Sequence, residues 1–149
     1  MKPGDVAPDF SLPDQDGTER KLSALLENGP VVLFFYPAAM TSGCTAQSCH
    51  FRDLAAEFAE VGAQRVGISR DDVATQKEFA ELNGFDYPLL ADVDGEVAEQ
   101  FGVKRRFGPI PVKRHTFVIG TDRVVVEVVK SEFSMNAHAD KALAVLRSR

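Results

Sequence analysis

Cysteine is scarce in this chain: two residues in 149, at positions 44 and 49. Two cannot build a disulfide framework, and two thiols close in sequence suit a reducing compartment where disulfides are transient and catalytic. A cytoplasmic location is therefore expected. The pattern Cys-x-x-Cys is absent, which disfavours a thioredoxin-type disulfide exchanger. Basic charge is also short: 17 Lys and Arg stand against 22 Asp and Glu, for a net charge of −5 and a pI near 5.2. Without a basic patch, nucleic acid is not an expected partner. Long apolar runs are missing too. The longest, Val31 to Tyr36, falls far below the roughly 20 residues that cross a bilayer. No apolar stretch follows Met1-Lys2-Pro3-Gly4-Asp5, so neither a secretory signal nor a membrane partner is expected. Repeats, low-complexity tracts and linkers are lacking as well. The length suits one domain spanning 1–149 with a full core. The 44% hydrophobic and 26% charged fractions are those of an ordinary globular protein.

What is present centres on one stretch. The run Val31-Val32-Leu33-Phe34-Phe35-Tyr36 reads as a buried strand. Past Pro37 and a short loop, Phe51, Leu54, Ala55 and Phe58 form the stripe of a single helix that runs to Gly62. Cys44 therefore falls near a helix start, where free backbone N–H groups and the positive dipole end favour a thiolate. Thr41 and Ser42 are both candidate caps, and Gly43 lets the backbone approach whatever lies beside the sulfur. Two readings of Cys44 stand side by side, a buried filler and a reactive thiol; its place after a buried strand at a capped helix start favours the second. Cys49 has two readings as well, a core thiol and a redox partner. Residues five apart on a helix have Cα atoms roughly 8–9 Å apart, whereas a disulfide wants about 4.4–6.8 Å. A bond between Cys44 and Cys49 thus requires the first turns to unwind, and unwinding past Cys49 exposes Phe51.

The rest of the chain reads as an α/β plan. Phe10–Leu12 and Glu19–Leu22 flank an Asp16-Gly17 turn, a hairpin. A single helical turn is expected at Ser23–Leu26. Arg65–Ser69 reads as a second parallel strand. Asp71 or Asp72 caps a helix over Val73–Leu82, with Phe79 and Leu82 on its apolar face and Asn83-Gly84 closing it. Leu89–Ala91 is a short strand and Gly95–Phe101 a short helix. Lys104–Lys113 is a loop containing Phe107, Gly108, Pro109 and Pro111. His115–Ile119 and Val124–Lys130 form a second hairpin, and Ala137–Leu146 a last helix. Parallel strands need crossover helices, and a closing antiparallel hairpin makes the sheet mixed. The order is compatible with a thioredoxin-like layout.

Pro37-x-x-x-Thr41-x-x-Cys44 resembles the active-site signature of the peroxiredoxins. Met40-Thr41-Ser42-Gly43-Cys44-Thr45-Ala46-Gln47-Ser48-Cys49 is similar to the PrxQ, or bacterioferritin comigratory protein, subgroup. Pro3-Gly4-Asp5-x-Ala7-Pro8-Asp9-Phe10, Val66-Gly67-Ile68-Ser69, Phe101-Gly102-Val103 and Arg114-x-Thr116-Phe117-Val118-Ile119 extend the resemblance over nearly the whole chain. It implies a thioredoxin-like fold: a mixed central sheet flanked by helices, with an N-terminal β-hairpin extension. It implies a thiol-dependent peroxidase without a cofactor. Cys44 matches the peroxidatic cysteine and Thr41 the residue that orients the peroxide. Pro37 matches the proline that shields the thiolate, and Arg114 the arginine that reaches the sulfur with a permanent charge. Cys49 matches the resolving cysteine, which condenses with the Cys44 sulfenic acid. The N–H groups of Gly43 and Cys44 complete a polar cradle. The implied partners are a hydroperoxide and a thioredoxin or glutaredoxin-like reductant, and the expected assembly is a monomer or weak dimer.

Rival readings remain. One is a one-cysteine peroxidase in which Cys49 is structural. Another is a thiol–disulfide oxidoreductase of the same fold, and a third is a binding or chaperone-like module that kept the fold. Cys44, Cys49 and His50 do not match a zinc pattern, so no metal is expected. Arg105, Arg106 and Lys113 read as loop charges, and His115 and His138 as a strand residue and a first-turn helix residue without a partner cluster. The chain departs from the family in the apolar Ala38-Ala39-Met40 and the stiff Pro109-Ile110-Pro111. No cysteine follows Arg114, which excludes a C-terminal resolving cysteine.

Overall fold

The computed structural model describes residues 1–105, 107–108 and 110–149; the expectations placed on Arg106 and Pro109 lie outside the described residues. The elements in order are β1 (Ser11–Pro13), β2 (Glu19–Lys21), α1 (Leu22–Leu25) with a following 3-10 turn, β3 (Val31–Phe35), α2 (Ser42–Asp53), α3 (Ala55–Glu60), β4 (Gln64–Ser69), α4 (Val73–Asn83), β5 (Leu89–Ala91), α5 (Glu96–Gln100), β6 (His115–Ile119), β7 (Val125–Lys130) and α6 (Met135–Arg147). β1 and β2 form the N-terminal hairpin, with Leu12 opposite Arg20. The main sheet runs β5-β4-β3-β6-β7. β3 pairs in parallel with β4, Leu33 facing Val66, and antiparallel with β6, Leu33 facing Phe117. β5 adds in parallel to β4, and β7 antiparallel to β6. This is the thioredoxin-like mixed sheet with the expected hairpin extension. Among the described residues, no helix is long and apolar enough to cross a membrane.

Strand β3 is central because both its faces are apolar, as a strand covered on two sides must be. Val31, Leu33 and Phe35 point into one core, shared with Phe10, Leu22, Val97, Phe101 and Phe117. Val32, Phe34 and Tyr36 point into the other, with Phe51, Phe58, Phe79, Leu89 and Leu143. The period-two alternation thus splits the strand between two cores. Phe34 stacks on Phe51 of α2, with centroids 4.1 Å apart and planes 7° from parallel. That contact seats the cysteine helix on the sheet.

Two expectations are corrected. The helix after Cys44 is not continuous to Gly62: Leu54, at φ −96° and ψ 21°, ends α2 and starts α3. The break keeps both Phe51 and Phe58 fully buried against the sheet, their rings 5.9 Å apart. Leu82 is not on the apolar face of α4 but 69% exposed. The buried stripe of that helix is Gln76, Phe79 and Ala80, and Leu82 turns about 110° away from its centre at 3.6 residues per turn. The cap of α4 is Asp72, whose carboxylate accepts from Thr75 N, and the helix closes on Gly84 at φ 64°. Asp71 serves another purpose.

Candidate active site

The loop from β3 to α2 is held from beneath by a polar network. The buried Tyr36 hydroxyl donates to Gln76 Oε1 at 2.5 Å. Burial pushes this phenol well above its usual range, so it stays a donor. Gln76 Nε2 in turn donates to Ser69 Oγ and to Leu90 O. Asp71 accepts from Ser69 Oγ at 2.6 Å and from the main-chain N–H of Ala39 at 2.8 Å. The ends of β3 and β4 and the start of α4 thus fix Ala39 in the loop. Met40 then adopts the left-handed region, φ 69°, unusual for a residue with a side chain. Thr41 returns to extended geometry, φ −80° and ψ 152°, at the N-cap position of α2.

Thr41 does not cap with its hydroxyl. Its Oγ1 donates to Ala38 O at 2.8 Å, and no side-chain cap bond forms at this end; Ser42 is the first helical residue. The first-turn N–H groups of α2 therefore lack a side-chain cap, and Cys44 occupies the third helical position. Its side chain is 1% exposed, and both cysteines are free thiols. Pro37 is half-buried on the same loop.

Arg114 immediately precedes β6 and is 7% exposed. Its Nη2 lies 3.3 Å from Cys44 Sγ. Its Nη1 donates to Gln47 Oε1, and its main-chain N–H donates to Glu132 Oε1 at 3.1 Å. Arg105 is more than a loop charge: its Nη2 lies 3.1 Å from the same Glu132 oxygen. Lys113 is exposed, as a loop charge should be. A Cβ at Gly43 would reach ordinary contact with Arg114 Nη2 at 3.4 Å and Met135 Sδ at 3.6 Å, so a side chain larger than alanine would crowd the guanidinium. Among the described residues, Arg114 Nε and Gln47 Nε2 are buried without an acceptor. Unpartnered buried donors are costly, and these two belong to the side chains joined to each other beside Cys44.

Sequence reading missed the roles of Gln47 and Glu132, and took Asp71 only as a possible cap of α4. Gln47 had a signal: it lies three residues after Cys44, one turn along the same helix face. Glu132 had none, since it is 18 residues from Arg114 across a hairpin. Cys49 is half-buried, its Sγ 3.8 Å from Asn83 Oδ1, one and a half turns beyond Cys44. His50 lies 2.7 Å from Asp140 on α6. His138 does have partners: it is fully buried, its Nδ1 against Thr116 Oγ1 at 2.8 Å and its Nε2 against Ser131 O at 2.7 Å. The carbonyl can only accept, so Nε2 carries the proton and Nδ1 accepts. Burial, and to a lesser degree the Arg114 charge, lowers its pKa, against the opposing bond to Ser131.

Residues 3–128 match the AhpC/TSA family. The chain belongs to that family. It is a peroxiredoxin of the PrxQ subgroup, and so a thiol-dependent peroxidase. A solved peroxidoxin, BcpB of Mycobacterium tuberculosis, superposes with a TM-score of 0.96 at 67% identity, over 99% of this chain and 97% of that one. Peroxiredoxin Q of Xanthomonas campestris superposes with a TM-score of 0.86 at 31% identity, over 94% and 90%. The chloroplastic peroxiredoxin Q of Oryza sativa subsp. japonica is 40% identical over 146 residues, 97% of this chain and 66% of its own length.

Proposed function

We propose that Cys44 is the peroxidatic nucleophile and Cys49 the resolving cysteine. The observation that carries this reading is the 3.3 Å approach of Arg114 Nη2 to Cys44 Sγ, with the guanidinium held by Gln47 through its other amino group. The guanidinium is placed to stabilise charge that develops as the O–O bond breaks. The Cys44 thiolate attacks the terminal peroxide oxygen. An S–O bond forms, the O–O bond breaks, and the alkoxide or hydroxide leaves with the electron pair and takes up a proton. Cys44 is then a sulfenic acid. Thr41 and the N–H groups of Gly43 and Cys44 are the groups assigned to orient the peroxide, and Pro37 limits water at the sulfur.

Cys49 then attacks the sulfenic sulfur. The S–S bond forms, the S–O bond breaks, and water leaves with the thiol proton. A thioredoxin- or glutaredoxin-like dithiol reduces the disulfide and restores both thiols. Hydrogen peroxide and organic hydroperoxides are the proposed substrates. The reading is tested by treating the reduced protein with one equivalent of hydrogen peroxide and mapping the peptides by mass. The expected product is a peptide pair joined through Cys44 and Cys49. A stable sulfenic acid at Cys44 with Cys49 still alkylatable contradicts the role of Cys49. An unmodified Cys44 contradicts the whole assignment.

A further inference from the structure

The two halves of α2 are held in different ways. Among the described residues, the side-chain hydrogen bonds that tie Ser42–Gln47 to other elements converge on Arg114, which reaches Cys44 and Gln47. Thr45 bonds only back to Thr41 O. From Ser48 to Arg52, every residue is tied to another element of the fold. The Tyr87 hydroxyl donates to Ser48 O at 2.7 Å. Cys49 lies against Asn83, and His50 against Asp140. The Phe51 ring stacks on Phe34, and its carbonyl accepts from Arg65 Nη1 at 3.0 Å. Arg52 Nη1 donates to Asn83 O at 2.6 Å. The Tyr87 clamp is itself rigid. Its side chain stacks on Phe85 at 5.4 Å and lies beneath the Arg65 guanidinium at 5.0 Å, and the residue is 4% exposed.

We propose that Tyr87 is a positioning residue for the resolving step: its hydroxyl pins the Ser48 carbonyl, so that α2 unwinds only over residues 42–47 and Cys49 stays fixed. This rests on the reading of Cys49 as the resolving cysteine. A helical carbonyl has a second lone pair, so Ser48 O can keep both its helical bond and this one. Oxidation of Cys44 adds a hydroxyl to the sulfur that Arg114 Nη2 touches and so disturbs the anchor of the first half alone. Cys44 can then swing toward Cys49, closing the roughly 8–9 Å Cα separation of an intact helix to within disulfide reach. A fixed target makes that closure faster than one between two loose segments, because less chain must be ordered.

Tyr87→Phe removes only the hydroxyl and keeps the ring stacking. The parent protein is first oxidised with one equivalent of hydrogen peroxide. If it forms no Cys44–Cys49 disulfide, the assignment of Cys49 fails and the Tyr87 proposal fails with it. If the disulfide forms, hydrogen exchange is compared in the oxidised and reduced forms of both proteins. The parent is expected to exchange faster on oxidation at 42–47 but not at 49–53. Oxidised Tyr87→Phe is expected to exchange about three- to tenfold faster than the oxidised parent at 49–53, the loss of roughly one net hydrogen bond. With excess peroxide it should convert several-fold more Cys44 to sulfinic acid per turnover. Should Tyr87→Phe fail to fold, Arg65→Met, which releases the Phe51 carbonyl, carries the same expectation. Equal exchange at 49–53 in the oxidised forms, or an equal increase in the reduced forms with unchanged sulfinic acid yield, overturns the proposal.

Discussion

At the scale of single residues the site turns on charge and room around one sulfur. Replacing Arg114 with Met removes the guanidinium beside Cys44 while keeping most of the side-chain volume. The expected loss in the second-order rate with peroxide is roughly 10²–10³-fold, the range for removal of one donor at a site of developing negative charge; stopped-flow measurement on the reduced protein checks it. Gln47→Leu leaves the charge in place but frees Nη1, and a smaller loss is expected, about tenfold, in the same assay. A rate equal to the parent's in Arg114→Met removes Arg114 from the site. Gly43→Val should reproduce part of the Arg114 defect, because its Cβ branch meets Nη2 and Met135 Sδ at 3.4 and 3.6 Å before any γ-carbon is added. Cys44 and Arg114 were legible in the sequence because the signature residues surround one and a recognisable strand follows the other. Asp71 was legible only as a possible cap, and Glu132 not at all. Their roles depend on which strand ends the topology brings together, and local pattern carries no record of that.

At the scale of elements, periodicity placed β3, β4, β5 and the final hairpin to within a residue or two, because each is an apolar run bounded by Gly, Pro or Asp. It failed where one helix had to serve two burial directions. The stripe Phe51, Leu54, Ala55, Phe58 fits one helix, yet the fold breaks it at Leu54 to seat both phenylalanines. Leu82 is apolar and adjacent to the stripe of α4 but points out; composition cannot distinguish 60° from 110° on a helical wheel. The account of α2 makes its own prediction. Joining Cys44 to Cys49 is incompatible with an intact first turn and a half, and local opening need not cost global stability. Oxidation with one equivalent of peroxide should therefore lower the helical circular dichroism signal and raise hydrogen exchange over residues 42–47. Identical spectra and exchange in both redox states contradict it.

At the scale of the molecule, two expectations concern stability and assembly. Burial, helped by the charges of Lys130 and Lys113, lowers the pKa of His115 from 6.5 to about 4, and His138 shifts in the same direction. A histidine held neutral in the fold contributes stability above its unfolded pKa. That contribution is lost as the pH falls from about 6.5 toward 4, when the unfolded chain takes up protons that the fold refuses. The urea midpoint should fall across that window, and less so in His115→Gln; a flat profile from pH 7 to 4.5 contradicts this. The fold exposes Phe107 at 90% and Phe133 at 96%. A monomer or weak dimer remains the expected species in sedimentation at micromolar concentration, and a stable decamer contradicts it. The central claim, that Cys44 reduces peroxide and Cys49 completes the cycle, is tested most directly by steady-state hydroperoxide consumption with a thioredoxin-type donor. The parent should turn over many times, while Cys49→Ser should react once, stop, and hold a sulfenic acid at Cys44 that a nucleophilic trap captures. If Cys49→Ser turns over with that donor as fast as the parent, Cys49 is structural and the cycle runs on one cysteine.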